Sequence, residues 1–220
     1  MNLTTEKEGY INSILDNKCL GWLLPVLETG QSACKAFMNT NNDFFGCEEY
    51  LNMVPGHLLS YSINKQLAIQ GKLSSCPFLI YKEEINHRNK YSIPILRKSD
   101  ITISVMRGAN RKELNGTDKK YLKKKCRKNN DIPCQETFLN LIDIKDNYHG
   151  VLLYGSKKDW EGIEFADIIF FDDELKNINY SINLIGRLHV YQSSMSNEEK
   201  QKKLLNANNL IKDFKKQSEG

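Results

Sequence analysis

No stretch of the chain approaches the roughly 18–20 consecutive apolar residues that a membrane-spanning helix needs, so no membrane partner is expected. The segment Met1-Asn-Leu-Thr-Thr-Glu-Lys-Glu8 carries acids and no apolar h-region, which predicts no secretory signal and a cytoplasmic location. The six cysteines contain no C-x-x-C pair, and the four histidines (57, 87, 149 and 189) are equally scattered. A closed zinc site usually draws on at least one tightly spaced ligand pair, so the cysteines are expected to be reduced and mostly buried. Nothing in the pattern points to a catalytic Cys–His pair. Also missing are G-x-G-x-x-G, the Walker loop, G-x-S-x-G, H-E-x-x-H and any internal repeat. Their absence removes the commonest nucleotide-binding and hydrolase classes. Charge of one sign is scarce too. A formal net charge of +4 and a pI near 8.6 are too mild to demand a polyanionic partner, though they are compatible with one.

With 40% hydrophobic and 26% charged residues over 220 positions, the composition is that of a globular chain able to bury a core. The expected organisation is a single α+β domain over 1–191, with 192–220 as a C-terminal helix packed on the domain or on a partner. Abundant Lys, Asn and Ile suggest an AT-rich source genome, bacterial or phage.

The most apolar part of the chain is Gly150–Ile185. Gly150–Gly155, a polar tip at Ser156–Gly162 and Ile163–Phe171 read as a β-hairpin. Ile163–Phe171 is apolar at both alternating positions, which predicts a central strand covered on two sides. Tyr180–Ile185 reads as a further strand. Upstream, Thr5-x-x-Glu8 fits a capping box ahead of Ile11, Ile14, Leu15 and Trp22 at helical spacing, with Pro25 expected to stop or kink the helix and Gly30 to end the segment. Pro55 opens a second helix with Leu59, Ile63, Leu67 and Gln70 on one side, closed by Gly71. His57, Tyr61 and Lys65 share another side, expected to be solvated.

A three-stranded meander follows: Pro77–Ile85, Tyr91–Leu96 and Ile101–Met106. In the last of these, Ile101, Ile103 and Val105 alternate with Thr102 and Ser104, the pattern of a half-buried strand. Pro94 lacks a ladder donor and predicts an edge or bulged position for its strand. Pro133 suits a helix start, and Ser196-x-x-Glu199 caps a C-terminal helix carrying Leu204, Ala207, Ile211 and Phe214. The order of elements predicts α+β architecture: a largely antiparallel sheet of about five or six strands with helices packed against it and a C-terminal amphipathic helix.

Three constellations bear on function. Asp167 alternates with Phe165, Ile169 and Phe171, so it must be paired, metal-bound or protonated; Asp172-Asp173-Glu174 follow at the strand end. Asp143-Ile-Lys145, with Asp131 or Asp100 upstream, is the sparse pattern of a divalent-metal nuclease. In that pattern Asp143 and Asp167 would hold Mg²⁺ and Lys145 would position the attacking water; no cofactor is expected otherwise. The densest basic run is Lys119, Lys120, Tyr121, Lys123, Lys124, Arg127 and Lys128, with Arg107 and Arg111 upstream. Clustered cations neutralise phosphates, and an interleaved tyrosine stacks on an unpaired base. Only Leu122 and Cys126 give this run an inward stripe, so it should lie on the surface. The resulting expectation is a binding or regulatory protein whose partner is nucleic acid or a nucleic-acid–protein complex. The alternatives are a metal-dependent nuclease and a purely protein-binding regulator or inhibitor working through the C-terminal helix or a sheet edge.

Overall fold

The computed structural model describes residues 3–41, 54–86, 90–131, 148–158 and 161–187. The chain divides into two compact units, Met1–Ile185 and Gly186–Gly220. The predicted helices at Pro133 and in 192–220 lie outside the described residues.

The first unit is α+β, as its sequence predicts. Helices α1 (Leu3–Ile14), α2 (Asn17–Thr40) and α3 (Val54–Gln70) precede strands β1 (Leu79–Asn86), β2 (Tyr91–Lys98) and β3 (Ile101–Arg107). A short helix α4 (Lys120–Cys126) runs into a 3-10 turn at Arg127–Asp131, followed by β4 (Tyr148–Ser156), β5 (Ile163–Phe171) and β6 (Ile178–Asn183). The six strands lie side by side in chain order. All neighbours are antiparallel except β3 and β4, which run parallel. A parallel pair requires the chain to cross a face of the sheet between its strands, and α4 lies on that crossover.

Two cores result. On one face, Ile101, Ile103, Leu152, Ala166, Ile168 and Phe170 pack with the buried stripes of α1, α2 and α3. On the other, Val151, Leu153, Phe165, Ile169 and Phe171 pack with Leu114, Leu122, Cys126 and Leu175. β5 thus feeds both cores from alternate positions, which is why apolar residues occupy both of its faces, with Glu164 and Asp167 as the polar exceptions.

Three local expectations are corrected. The first helix breaks at Leu15–Asp16 rather than at Pro25, because the Asp16 carboxylate accepts the Cys19 N–H at 2.9 Å and starts α2 there. α2 then runs through Pro25. An interior proline costs about 3 kcal/mol, but Leu23, Val26 and Leu27 around it are buried, and each buried aliphatic side chain is worth about 1.5–3 kcal/mol. Burial wins. Likewise Gly30 does not end the segment. It sits inside α2 where α3 crosses, and a Cβ there would stand 2.8 Å from the Ile63 Cα and 3.1 Å from its nitrogen. Those atoms are backbone and cannot swing aside. Gly30→Ala should therefore lose about 1–3 kcal/mol by overpacking. A stabilisation near 1 kcal/mol in thermal unfolding, the gain helix propensity alone supplies, would show that the helices part freely.

Pro94, finally, occupies an interior strand with no bulge at its own position, since β2 lies between β1 and β3. It is tolerated because the β2–β3 ladder ends at Ile95↔Ser104, one residue short of it.

Candidate functional site

The crossover face is the part of the unit where charge and built geometry coincide. The loop after β3 is shaped by its own polar groups. The Ala109 N–H donates to the Glu113 carboxylate, and the Lys112 N–H donates to Asn110 Oδ1 at 2.9 Å. Leu114 is buried beneath the loop, and the Gly116 N–H donates to the Leu175 carbonyl at 2.7 Å. Leu175 is itself buried and left-handed, with φ at 58°, a conformation that costs a non-glycine residue of order 1 kcal/mol or more. It holds because the Asp172 carboxylate accepts the Lys176 and Asn177 N–H groups in the same turn. Those hydrogen bonds, opposed by partial burial, keep the Asp172 carboxyl below its usual range.

α4 follows as its composition requires. Leu122 and Cys126 are fully buried, while Lys120, Lys124 and Arg127 are exposed on the outer side. Lys123 is bridged to Asp118 and Glu174, each at 3.4 Å, and Lys125 pairs with Glu83 at 2.5 Å. Lys119 and Lys128 are half-buried. Tyr121, expected as a base-stacking ring, packs against the second core with its hydroxyl on Met106 Sδ at 3.4 Å, and burial pushes its phenol up to about 12. Its ring is thereby part of the packing beneath the helix.

Asn129 pins the far end of this basic segment. It is fully buried and donates from Nδ2 to the carbonyls of His149 and Phe171, both at 2.7 Å, while its Oδ1 accepts the His149 N–H at 2.8 Å. One side chain thereby replaces missing ladder partners on β4 and β5. The imidazole of His149 lies inward, 2.8 Å from Thr102 Oγ1 and 2.8 Å from Ser104 Oγ. Burial, with Lys125 nearby, pushes it down to about 3, so it is neutral. Thr102 and Ser104 were expected on a solvated face; both are buried, because His149 satisfies their hydroxyls. Neither Asn129 nor this network was visible in the sequence. The one available signal was a pair of small hydroxyl residues at alternate positions of a strand.

The acids are dispersed by the same packing. Asp167 faces the second core and pairs with Arg111, Nε to Oδ2 at 3.2 Å. Burial pushes its carboxyl up, and the arginine partly offsets that. Asp100 accepts the Tyr10 hydroxyl at the β2–β3 turn. Asp173 accepts from Asn130 at 3.1 Å. Asp143 and Lys145 lie outside the described residues, as does the side chain of Asp131. Among the described residues no group of three or more His, Cys, Asp or Glu side chains is placed to hold a metal. Of the cysteines, Cys19, Cys34 and Cys126 are buried and Cys76 is half-buried, and burial raises all four thiols. Cys47 and Cys134 are outside the described residues. His57, Tyr61 and Lys65 are exposed on α3, as a solvated face requires.

The chain matches no family model, no curated protein and no solved structure. What the crossover face presents chemically is a row of cations, Lys120 and Lys124 on α4 and Arg127 just after it, to which no carboxylate among the described residues is bound, on a segment anchored by Leu122, Cys126 and Asn129.

Proposed function

We propose that this protein binds nucleic acid, alone or within a nucleic-acid–protein complex, through the outer side of α4. The reading rests on how the basic run is divided. Lys123 and Lys125 are matched with carboxylates, whereas Lys120, Lys124 and Arg127 project outward over about 10 Å of helix. A surface kept only for solubility gains nothing from being pinned by a fully buried asparagine; a surface that must hold its cations in register does. Binding through these three cations would depend strongly on salt, because each phosphate they neutralise releases counterions.

The test is binding of single- and double-stranded oligonucleotides across a salt series. If three phosphates are engaged, log affinity should fall against log salt with a slope of about −2 to −3, at roughly −0.7 to −0.9 per phosphate. Changing Lys120, Lys124 and Arg127 together to Glu should flatten the slope and weaken binding with the melting temperature nearly unchanged. Equal slopes for the two proteins would reduce the helix to a solvated surface. The same oligonucleotides incubated with Mg²⁺ or Mn²⁺ test the nuclease alternative built on Asp143 and Lys145. Cleavage lost in Asp143→Asn would move the assignment there.

A protein-binding regulator is the second reading, and one observation favours it. Leu79 and Tyr81 on the outermost strand β1, and Tyr91 at the far end of the same ladder on β2, are 64, 39 and 50% exposed. Apolar side chains at a sheet edge suit an added strand from a partner.

A further inference from the structure

Between the loop after β3 and strand β5 lies a cleft of about 610 Å³ lined by Ala109, Asn110, Arg111, Lys112, Glu164 and Phe165. Its central feature is an arginine held from behind. The Asp167 side chain is 9% exposed and takes Arg111 through Nε at 3.2 Å, while the Arg111 side chain is 52% exposed. The guanidinium carbon stands 5.9 Å from the centre of the Phe165 ring. That ring in turn lies across Gly155, its partner on β4, where an added Cβ would meet ring atoms at 2.3 and 2.7 Å. Three residues distant in sequence from Arg111 therefore build the surface on which its exposed side chain lies.

A buried carboxylate is costly, and its pairing with a half-exposed arginine returns little stability. An aliphatic residue at 167 would pack with Phe165, Ile169 and Phe171 at no such cost. What the acid does supply is a charge that draws the guanidinium to this rim. Arginine has five N–H donors in a rigid fork; the Asp167 carboxylate is paired with it by charge at Nε, and no described residue takes a hydrogen bond from its terminal amino groups. Such a fork matches two oxygens of one phosphate, and Lys112 on the same rim adds a second cation. Glu164 opposes an anion and sets a limit on its affinity.

We propose that this cleft is a phosphate-binding site, with Arg111 making the bidentate contact and Asp167 as its positioning residue. The proposal rests on this geometry and extends the nucleic-acid reading without depending on α4: a backbone phosphodiester and a free phosphate present the same oxygens.

Titration at constant ionic strength with inorganic phosphate, thymidine monophosphate and single-stranded oligothymidylate decides it, read by the Arg111 Nε–H resonance and by calorimetry. Arg111→Lys, which keeps the charge and loses the fork, should raise the Kd for phosphate at least about tenfold. Asp167→Asn should raise it less, and shift the free Arg111 resonance. Glu164→Gln should tighten it, a gain that a merely structural role for the pair would not produce. Lys120, Lys124 and Arg127 changed together to Glu should leave the Kd for inorganic phosphate unchanged. If that triple variant loses the oligonucleotide while keeping phosphate, both readings stand. If it keeps both ligands, the α4 reading fails and this one survives. Oligonucleotide binding lost in Arg111→Lys identifies the phosphodiester as the occupant; saturation by inorganic phosphate alone identifies the free anion. Equal phosphate affinity in wild type and Arg111→Lys, or no saturation by any of the three ligands up to tens of millimolar, overturns the site.

Discussion

Replacing Phe170 with alanine is expected to cost about 3–5 kcal/mol, the usual loss for a large core aromatic. Phe170 is fully buried in β5, on the face covered by the three N-terminal helices. Its ring lies against Gly150, where an added Cβ would stand 3.1 Å from ring carbon Cζ, and it packs on Tyr180 with ring centres 6.4 Å apart. Two rigid neighbours, a backbone and an aromatic, cannot collapse into the space that alanine would leave. The cavity therefore persists, and the loss should fall in the upper part of the range. Urea unfolding should show a lower midpoint with an unchanged slope, and the melting temperature should drop by on the order of 10 °C. A loss below about 1.5 kcal/mol would mean that the ring is not close-packed between sheet and helices.

Acid should destabilise the protein through His149. The unfolded chain protonates this histidine near pH 6.5, whereas the folded protein, with the imidazole buried near Lys125, resists until about pH 3. Between those values the unfolded state binds more protons, so stability falls as pH falls. Above pH 6.5 the residue contributes no slope. The full slope is about 1.4 kcal/mol per pH unit for one proton, which amounts to roughly 2 kcal/mol between pH 7 and pH 5. His149→Asn removes the titration, so the difference in pH slope between wild type and variant isolates this one group. Asp16, held low by hydrogen bonds from the Cys19 side chain and N–H, loses its contribution only as pH falls below its ordinary value of 3.8, outside that window. Parallel stability curves for the two proteins from pH 7 to pH 5 would show that His149 takes up its proton in the folded state.

Much of the fold could be read from the residues because it depends on short-range periodicity. The β4–β5 hairpin follows from two apolar runs and a Gly-bounded tip, and β5 is identified as doubly covered because apolar residues stand at both alternating positions. Leu59, Ile63 and Leu67 mark the buried side of α3. The surface position of α4 follows from Leu122 and Cys126 alone. In each case a side chain's environment is set by neighbours within a few positions.

Tertiary structure decided the rest, and the physical reason is that a polar or conformational penalty is judged by its distant partner. Pro25 is accepted inside α2 because residues around it are buried against other elements. Gly30 is a crossing point rather than a terminus because Ile63 lies against it. Thr102 and Ser104 are polar by type but buried in fact, since His149, 47 and 45 positions away, pairs with both. The run of lysines looks uniform in the sequence; only the placement of Glu83, Asp118 and Glu174 separates the neutralised members from the outward ones. Asp167 announced a need for compensation in the sequence, while the identity of its partner, Arg111, appeared only when the loop carrying that arginine folded beside Phe165.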